Sequence, residues 1–460
     1  MKQTVFDFKH IHFIGVGGAS MSGLAKYCLT KGFSVSGSDK TVSNETKKLT
    51  ALGAKVFNGH KAENVIGAEL VVYSSAVSDD NPELFFAKKH GLPILKRSEL
   101  LGEILSLSNK TVAVSGSHGK STTTAMIAEI FIAANLNPTV FLGGERKTFG
   151  NCRVGGRDYA VAEACEYKRN FLDIHPEVAV ILNIDNDHVD TYKNMDEAVD
   201  AFSLFAKNSL SVVNADDQYA RKVFNSSTVT FGVKTLAVYR AKYISKSEYR
   251  SFTVYAYGKR LGRINLKIAG AHNVYNALAA VACASELKVP FSVIKSALED
   301  FDGIKRRNEY LGEFCGVKCF ADYAHHPTEI RAALESARDK VLVVFQPHTF
   351  SRTEALMSDF VAALSKADGV IIYKTYPARE KFSAVGDGKR LFQKLRESGK
   401  ENVIYAGGYS SLKQALKTRA VLFDRILFLG AGDIYEIAKK CLKHNFKLFE
   451  KIRKKAEICR

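Results

Sequence analysis

At 460 residues the chain is long for one domain, and its length sets a prior of about three. Apolar residues make up 46% and charged residues 25%, the balance of a globular protein, and no apolar run reaches the roughly eighteen residues of a membrane span. The net charge of +18 suits anionic partners such as nucleotides, phosphorylated sugars, nucleic acid or a membrane surface, or else marks a lysine-rich solvated surface.

The first elements read as a βαβ unit. Residues 11–18 (IHFIGVGG) are an apolar run that ends in Gly15-x-Gly17-Gly18, too early for a signal peptide. Met21, Leu24, Ala25, Cys28 and Leu29 then fall on one face of a helix over 21–31. A strand over 33–36 leads to Gly37-Ser38-Asp39, an acid about twenty residues beyond the glycine turn. The sixth position of a dinucleotide fingerprint falls on Met21, with Gly23 nearby, so the turn reads as a row of N–H groups for a pyrophosphate that need not belong to NAD. A strand over 70–73 ends in Ser74-Ser75, Asn81-Pro82 reads as a turn, and 93–95 as a short strand. The pattern restarts near 107–109, which bounds a first domain at 1–108.

The second domain, 109–304, opens on the most informative stretch. The β-branched run Val112–Val114 enters Gly116-Ser117-His118-Gly119-Lys120-Ser121-Thr122, and a helix follows. Backbone N–H groups at a helix N-terminus wrap an anion, an exposed loop lysine at 120 reaches outer phosphates, and the Ser121 hydroxyl can ligate Mg²⁺. The strict GxxxxGK[ST] pattern is not met, because Val114 stands where its first glycine belongs. Strands over 159–162 and 178–184 end just before Glu166 and His188, two candidate Mg²⁺ ligands beyond carboxyl ends of an open sheet. A strand over 211–214 continues the sheet, and residues 228–268 alternate as an antiparallel side sheet. Asn273 and Asn276, at the start of an Ala-rich helix, read either as caps or as nucleotide contacts.

A third domain, 305–460, begins at Lys305-Arg306-Arg307 and carries strands at 317–321, 341–345, 369–372, 403–405 and 426–429. Helices between them predict a doubly wound α/β domain. Basic residues alternate with apolar ones from Lys439 to Arg460, an amphipathic helix with a basic face. The eight scattered cysteines give neither a zinc pattern nor a disulfide framework, which points to a reducing cytoplasm.

Together these stretches resemble the Mur ligases, ATP-dependent amide-forming enzymes of peptidoglycan precursor synthesis. The resemblance rests on residues 15–23, 116–122, Glu163-Ala-Cys-Glu166, 183–192, His272-Asn273-x-x-Asn276-Ala277, 322–329 and Gln346-Pro347-His348. It implies an α/β chain of three domains: a Rossmann-like N-terminal domain holding UDP-N-acetylmuramate, a central P-loop domain holding ATP, and a Rossmann-like C-terminal domain that closes over both and admits L-alanine. The family pattern assigns Gly15, Gly17, Gly18, Met21, Ser22, Asp39 and Ser75 to the UDP-sugar, and residues 116–122 with Asn273, Arg307 and Asp322 to ATP. It assigns Ser121, Glu166 and His188 to Mg²⁺, with Lys120, Glu166 and His188 as the catalytic set. Tyr323, His325 and Arg352 match positions near the amino acid. Many relatives read Glu-Ala-Asp-Glu-Ser-Asp where this chain reads Glu163-Ala-Cys-Glu-Tyr-Lys168, and many carry Arg in place of Thr349.

The expected protein is therefore a cytoplasmic monomer or weak dimer, with no nucleic-acid partner and no membrane insertion. Three other readings stand beside it. One is a ligase joining a preformed peptide to the same sugar nucleotide. Another is an NAD(P)-dependent oxidoreductase, drawn from the first glycine turn. The third is a nucleic-acid-stimulated ATPase, drawn from the charge.

Overall fold

The computed structural model describes residues 4–75, 77–185, 191–337, 339–378 and 380–443. The chain divides into two compact units. One comprises Met1–Ser245, Ser251–Lys267 and Asn273–Ile304; the other comprises Lys246–Arg250, Ile268–His272 and Lys305–Arg460. The first unit holds two sheets.

The N-terminal sheet contains β1 (His10–Ile14), β2 (Ser34–Asp39), β3 (Lys55–Asn58), β4 (Leu70–Tyr73) and β5 (Ile94–Lys96) in the order β3-β2-β1-β4-β5. All four pairings are parallel. The order reverses between β1 and β4, so the turn after β1 opens at the crevice where open α/β sheets bind ligands. Alternation sends Ile11 and Phe13 into one core, and Ile14 into another on the opposite face. The second strand runs through Gly37-Ser38-Asp39 rather than stopping before them. A Cβ on Gly37 would lie 2.8 Å from the Phe13 carbonyl oxygen, so glycine permits the close approach that extends the ladder. Asn81-Pro82 is a helix start: Asn81 Oδ1 accepts from the N–H groups of Glu83 and Leu84, capping the helix Pro82–Lys89.

The central sheet has ten strands: β6 (Lys110–Ser115), β7 (Thr139–Arg146), β8 (Gly150–Arg153), β9 (Tyr159–Glu163), β10 (Val178–Ile181), β11 (Leu210–Asn214), β12 (Thr228–Gly232), β13 (Tyr239–Lys242), β14 (Tyr249–Ala256) and β15 (Lys259–Ala269). Their order is β15-β14-β13-β12-β11-β10-β6-β9-β7-β8. The strands in 228–268 are thus no separate side sheet; β12 joins β11 in parallel, and the ladder turns antiparallel only from β13 to β14. The hairpin of β7 and β8 has no counterpart in the sequence reading. It packs against the helix Ala19–Thr30, where Asn151 Nδ2 donates to Ala19 O (2.6 Å) and to Ser22 Oγ (2.8 Å).

Beyond β11, Asp216 organises a loop. Its carboxylate accepts from the N–H groups of Val233, Lys234 and Thr235, from the Thr235 hydroxyl and from the Tyr275 hydroxyl. Burial pushes the Asp216 carboxyl up, but the Thr235 hydroxyl and the three N–H groups outweigh it and hold it at about 2. The folded value lies below the unfolded one, so this stabilisation is present above about pH 4 and is lost as pH falls toward 2. Asp216→Asn is expected to cost about 1–3 kcal/mol in urea unfolding at neutral pH. The gap between variant and parent should shrink under acid; a gap independent of pH would contradict the assignment.

The second unit carries β16 (Glu309–Phe314), β17 (Val317–Asp322), β18 (Val341–Phe345), β19 (Gly369–Tyr373), β20 (Val403–Ala406) and β21 (Arg425–Leu429), ordered β16-β17-β21-β18-β19-β20. The sheet is parallel except for β16, the one strand of this sheet that the sequence reading lacked. Of the basic tail, 439–443 continue a helix over 434–443, and the remainder lies outside the described residues. Among the described residues no helix is long and apolar enough to cross a membrane.

Candidate functional site

The loop after β6 is shaped by two glycines. Gly116 has φ +137°, and a Cβ there would meet the Asn183 backbone at 3.0 Å. Gly119, at φ +87°, caps the helix Lys120–Ala133; a Cβ there would lie 2.5 Å from Asn276 Oδ1. Both positions therefore need glycine for conformation and for space. The N–H groups of Lys120, Ser121 and Thr122 are the first three of the helix, so none has a carbonyl partner within it. Their dipoles and the helix N-terminus have the form of an anion cradle. The cradle is narrower than the sequence reading had it. Ser117 N donates to Asn183 O (3.1 Å) and His118 N to Asn183 Oδ1 (2.8 Å), so both are engaged within the protein.

Lys120 is not an exposed loop residue; its side chain is 12% exposed. Its ammonium donates to Gly116 O (2.6 Å), Ser117 O (3.1 Å) and Glu166 Oε1 (3.1 Å), and pairs with Glu166 Oε2 at 3.0 Å. Burial pulls the ammonium toward its neutral form, but Glu166, then Cys165 and Glu163, overrule it, and the lysine stays charged above the ordinary range. Strand order explains the meeting. β9 and β10 flank β6 in parallel, so the loops at their carboxyl ends converge on the same edge. From the β9 side come Glu163, whose Oε2 accepts from Ser121 Oγ (2.6 Å) and Gly143 N (2.8 Å), and the buried Glu166. Tyr192 clamps the latter's backbone, donating to Glu166 O at 2.7 Å. From the β10 side comes Asp185, whose Oδ2 lies 3.3 Å from His118 Nε2. His188 lies outside the described residues.

Asn273 and Asn276 are both buried, and Asn276 Nδ2 donates to Asn273 Oδ1 at 2.9 Å. They stiffen each other beneath Gly119. Glu163 and Asn183 were not singled out as site residues from sequence, and Asn276 was read only as a cap or a nucleotide contact. Glu163 sits three residues before Glu166, and Asn276 repeats Asn273 at helical spacing; those spacings were the available signals.

At the first glycine turn, Gly15 (φ +81°) donates to Ser38 O at 2.8 Å, and Gly17 N donates to Asp39 Oδ2 at 2.9 Å. A Cβ on Gly17 would lie 2.8 Å from that same oxygen. Asp39 therefore braces the turn with one oxygen and takes the Thr41 N–H with the other. Met21 is in the core, and Ser22 is buried, donating to Ala19 O and accepting from Asn151. Neither turns its side chain to the crevice. Ser75 O accepts from Lys168 Nζ at 3.2 Å, and Lys168 itself holds an uncommon φ of +50°.

In the second unit, the carboxyl ends of β17, β21 and β18 carry one cluster. Asp322 accepts from Asn308 N (2.7 Å) and Ala324 N (2.8 Å), and burial pushes its carboxyl up. Arg307 lies 3.7 Å from Glu329 Oε1 and over the Tyr323 ring. His325 Nδ1 donates to Tyr323 O at 2.9 Å and lies 3.2 Å from Glu329 Oε2. Thr349, at φ +65°, caps the helix Phe350–Ala355 and accepts from Arg352 N at 3.4 Å. An arginine, a half-buried acid and aromatic rings thus share one sheet edge.

Three family models match in succession: "Mur ligase family, catalytic domain" over residues 10–109, "Mur ligase middle domain" over 114–284 and "Mur ligase, glutamate ligase domain" over 306–432. The chain is 44% identical to the UDP-N-acetylmuramate–L-alanine ligase of Acetivibrio thermocellus, covering 95% of this chain and 96% of that one. It is 43% identical to the enzyme of the same name from Aquifex aeolicus, covering 95% and 97%. Among solved structures, the UDP-N-acetylmuramate-alanine ligase of Thermotoga maritima superposes with a TM-score of 0.82 at 32% identity, covering 95% of this chain and 98% of that one. A murein peptide ligase from Psychrobacter arcticus, 22% identical, shares the fold with a TM-score of 0.73, covering 95% and 98%.

Proposed function

The chain belongs to the Mur ligase family, and from that premise we propose that it joins L-alanine to the lactyl carboxylate of UDP-N-acetylmuramate with cleavage of ATP, in cytoplasmic synthesis of peptidoglycan precursors. The observation that carries the reading is the Lys120 ammonium, buried between two loop carbonyls and Glu166 at the edge where β6, β9 and β10 end. That placement serves phosphoryl transfer, which needs position and charge neutralisation more than covalent chemistry.

The residues divide by the part of the reaction they serve. The first glycine turn, with Asp39 and Ser75 at the neighbouring strand ends, takes the UDP-sugar. Residues 1–108, 109–304 and 305–460 then correspond to UDP-sugar, ATP and closing domains. The N–H groups of 120–122 and the Lys120 ammonium take the ATP phosphates, with Lys120 exchanging its loop carbonyls for phosphate oxygens. Arg307 and Asp322 are assigned to the nucleotide, and Tyr323, His325 and Arg352 to the amino acid. The donor set fits Mg²⁺: the Ser121 hydroxyl and the Glu163 and Glu166 carboxylates are hard oxygens gathered at the loop, with His188 as a further candidate. When bound, Mg²⁺ neutralises charge on the phosphate oxygens.

The lactyl carboxylate attacks the γ-phosphorus, ADP departs, and an acyl phosphate forms. The alanine amine then attacks the acyl carbon and phosphate departs. Phosphate release from ATP, dependent on both UDP-N-acetylmuramate and an amine, tests this directly. L-alanine should support it best, ahead of glycine and L-serine, and a tripeptide should not. Tripeptide preferred over L-alanine would turn the reading to the peptide-adding ligase. With oxygen-labelled carboxylate, one label must appear in the released phosphate; amide formation without that label rules the acyl phosphate out.

A further inference from the structure

One face of the N-terminal sheet carries a polar row that the reaction above does not use. β1 and β2 run in register, His10 opposite Ser34 and His12 opposite Ser36, so His10, His12, Ser36 and Ser38 share the face that also carries Ile14. His12, Ser36, Ser38 and Glu83 are all buried. Glu83, from the first turn of the helix Pro82–Lys89, is the hub. Its carboxylate accepts from Ser38 Oγ (2.5 Å) and Asn64 Nδ2 (2.6 Å), lies 3.0 Å from His60 Nδ1, and faces His12 Nε2 at 3.8 Å. The row continues from His12 Nδ1 to Ser36 Oγ (2.8 Å), from Ser36 Oγ to His10 Nε2 (2.9 Å), and from His10 Nδ1 to the Gly67 carbonyl (2.8 Å).

His12 Nε2 makes no hydrogen bond at 3.8 Å, and counting hydrogens along the row shows what a proton facing the carboxylate would require. A carbonyl only accepts, so His10 Nδ1 carries a hydrogen. Ser36 has one hydroxyl hydrogen for two ring nitrogens. If it goes to His10 Nε2, then His12 Nδ1 must donate to Ser36, and a neutral His12 would point a bare Nε2 at the carboxylate. If it goes to His12 Nδ1, then His10 Nε2 must donate to Ser36 and His10 is an imidazolium. A hydrogen between His12 Nε2 and Glu83 therefore requires one proton beyond the neutral count, shared by His10 and His12. A buried carboxylate left without that proton is costly, and this one lies beneath a turn built for an anion.

The hub also holds the turn. Ser38 gives its hydroxyl to Glu83 and its carbonyl to the N–H groups of Gly15 (2.8 Å) and Val16 (3.0 Å). Asn64 ties Glu83 to Gly59 O, and Gly59 N donates to Asp39 O at 2.7 Å. We propose that Glu83 is a positioning residue for the sugar-nucleotide turn, and that the row His10–Ser36–His12 supplies the proton that balances its charge. The inference rests on the reading that this turn holds the UDP-sugar. The groups facing the carboxylate are His12 from β1, Ser38 from β2, and His60 and Asn64 from the segment after β3. Phe57 of β3 lies against His12, and Glu69, bonded to Lys9 N, is a further acid near the His10 end. Burial works against the Glu83 carboxylate, but His12, Ser38 and Asn64 outweigh it and hold it at about 2. The acid thus stays charged through neutral pH.

The experiment compares the full-length parent with Glu83→Gln in calorimetric titration with UDP-N-acetylmuramate and in steady-state kinetics. The variant should bind the UDP-sugar about ten-fold or more weakly, the scale of losing a charged hydrogen-bond partner, with kcat and the ATP KM within about two-fold of the parent. Equal UDP-sugar affinity in the folded variant overturns the inference alone, as does a uniform loss of kcat and both affinities. No UDP-sugar binding by the parent overturns the ligase reading itself. Should Glu83→Gln fail to fold, nitrogen-15 histidine spectra of the parent decide. One excess proton on His10 and His12 at neutral pH supports the row, and two neutral rings overturn it.

Discussion

Replacing Lys120 with alanine is expected to lower the rate of amide formation by about 10²–10³-fold, the loss seen when one preorganised donor to developing charge is removed. The ammonium sits where the strand-ending loops converge and pairs with Glu166. The structure adds a cost that an exposed lysine would not carry. Glu166 is buried, so breaking this buried ion pair by removing one partner is expected to cost about 3–5 kcal/mol of stability. Two effects then mix in the single variant. They separate in Lys120→Met combined with Glu166→Gln, which removes both charges: stability should largely return, while turnover should not. Urea unfolding reads the first and phosphate release the second. A folded Lys120→Ala protein with near-normal turnover would sink the assignment of the loop to phosphate.

How far the sequence reached depends on how local each signal is. The turn Gly116–Ser121 is legible because glycine, lysine and serine act within six residues of one chain segment, between a β-branched run and a helix. Most strand positions were legible too, since alternation and β-branching are local, though β3, β7, β8 and β16 were not. Strand order was not. Residues 228–268 announce strands, but nothing in their alternation says that β12 joins β11 and extends the main sheet. The partnership of Ser121 with Glu163 spans 42 residues and depends on β9 lying beside β6. Met21 and Ser22 read two ways: their place in a glycine motif points to the ligand, while the structure buries both side chains. His12 and Glu83 left the least trace, for an imidazole inside an apolar run reads as a strand residue until a distant acid is brought to it.

Glu166→Gln is expected to cut kcat on the same scale, about 10²–10³-fold, while changing UDP-sugar affinity by less than about three-fold, as its proposed role at the reacting phosphate rather than the sugar-nucleotide turn requires. The variant also makes a prediction with a sign. In the parent, burial lowers the Lys120 pKa, and Glu166, the first of the acids acting against burial, contributes to raising it above the ordinary lysine value. A group raised in the folded state contributes stability that is whole below its unfolded pKa and is lost only as pH rises through the folded one. Across the working range the parent lysine is therefore charged. Glutamine removes that leading opposition and keeps the burial, so the lysine gives up its proton at lower pH. Residual activity of the variant should therefore fall at a lower alkaline pH than the parent's, because only Cys165 and Glu163 still oppose burial. Activity loss with a pH profile parallel to the parent's would mean that Glu166 does not hold the Lys120 charge. Equal loss of UDP-sugar affinity and kcat would place Glu166 in the architecture of the unit rather than at the phosphate.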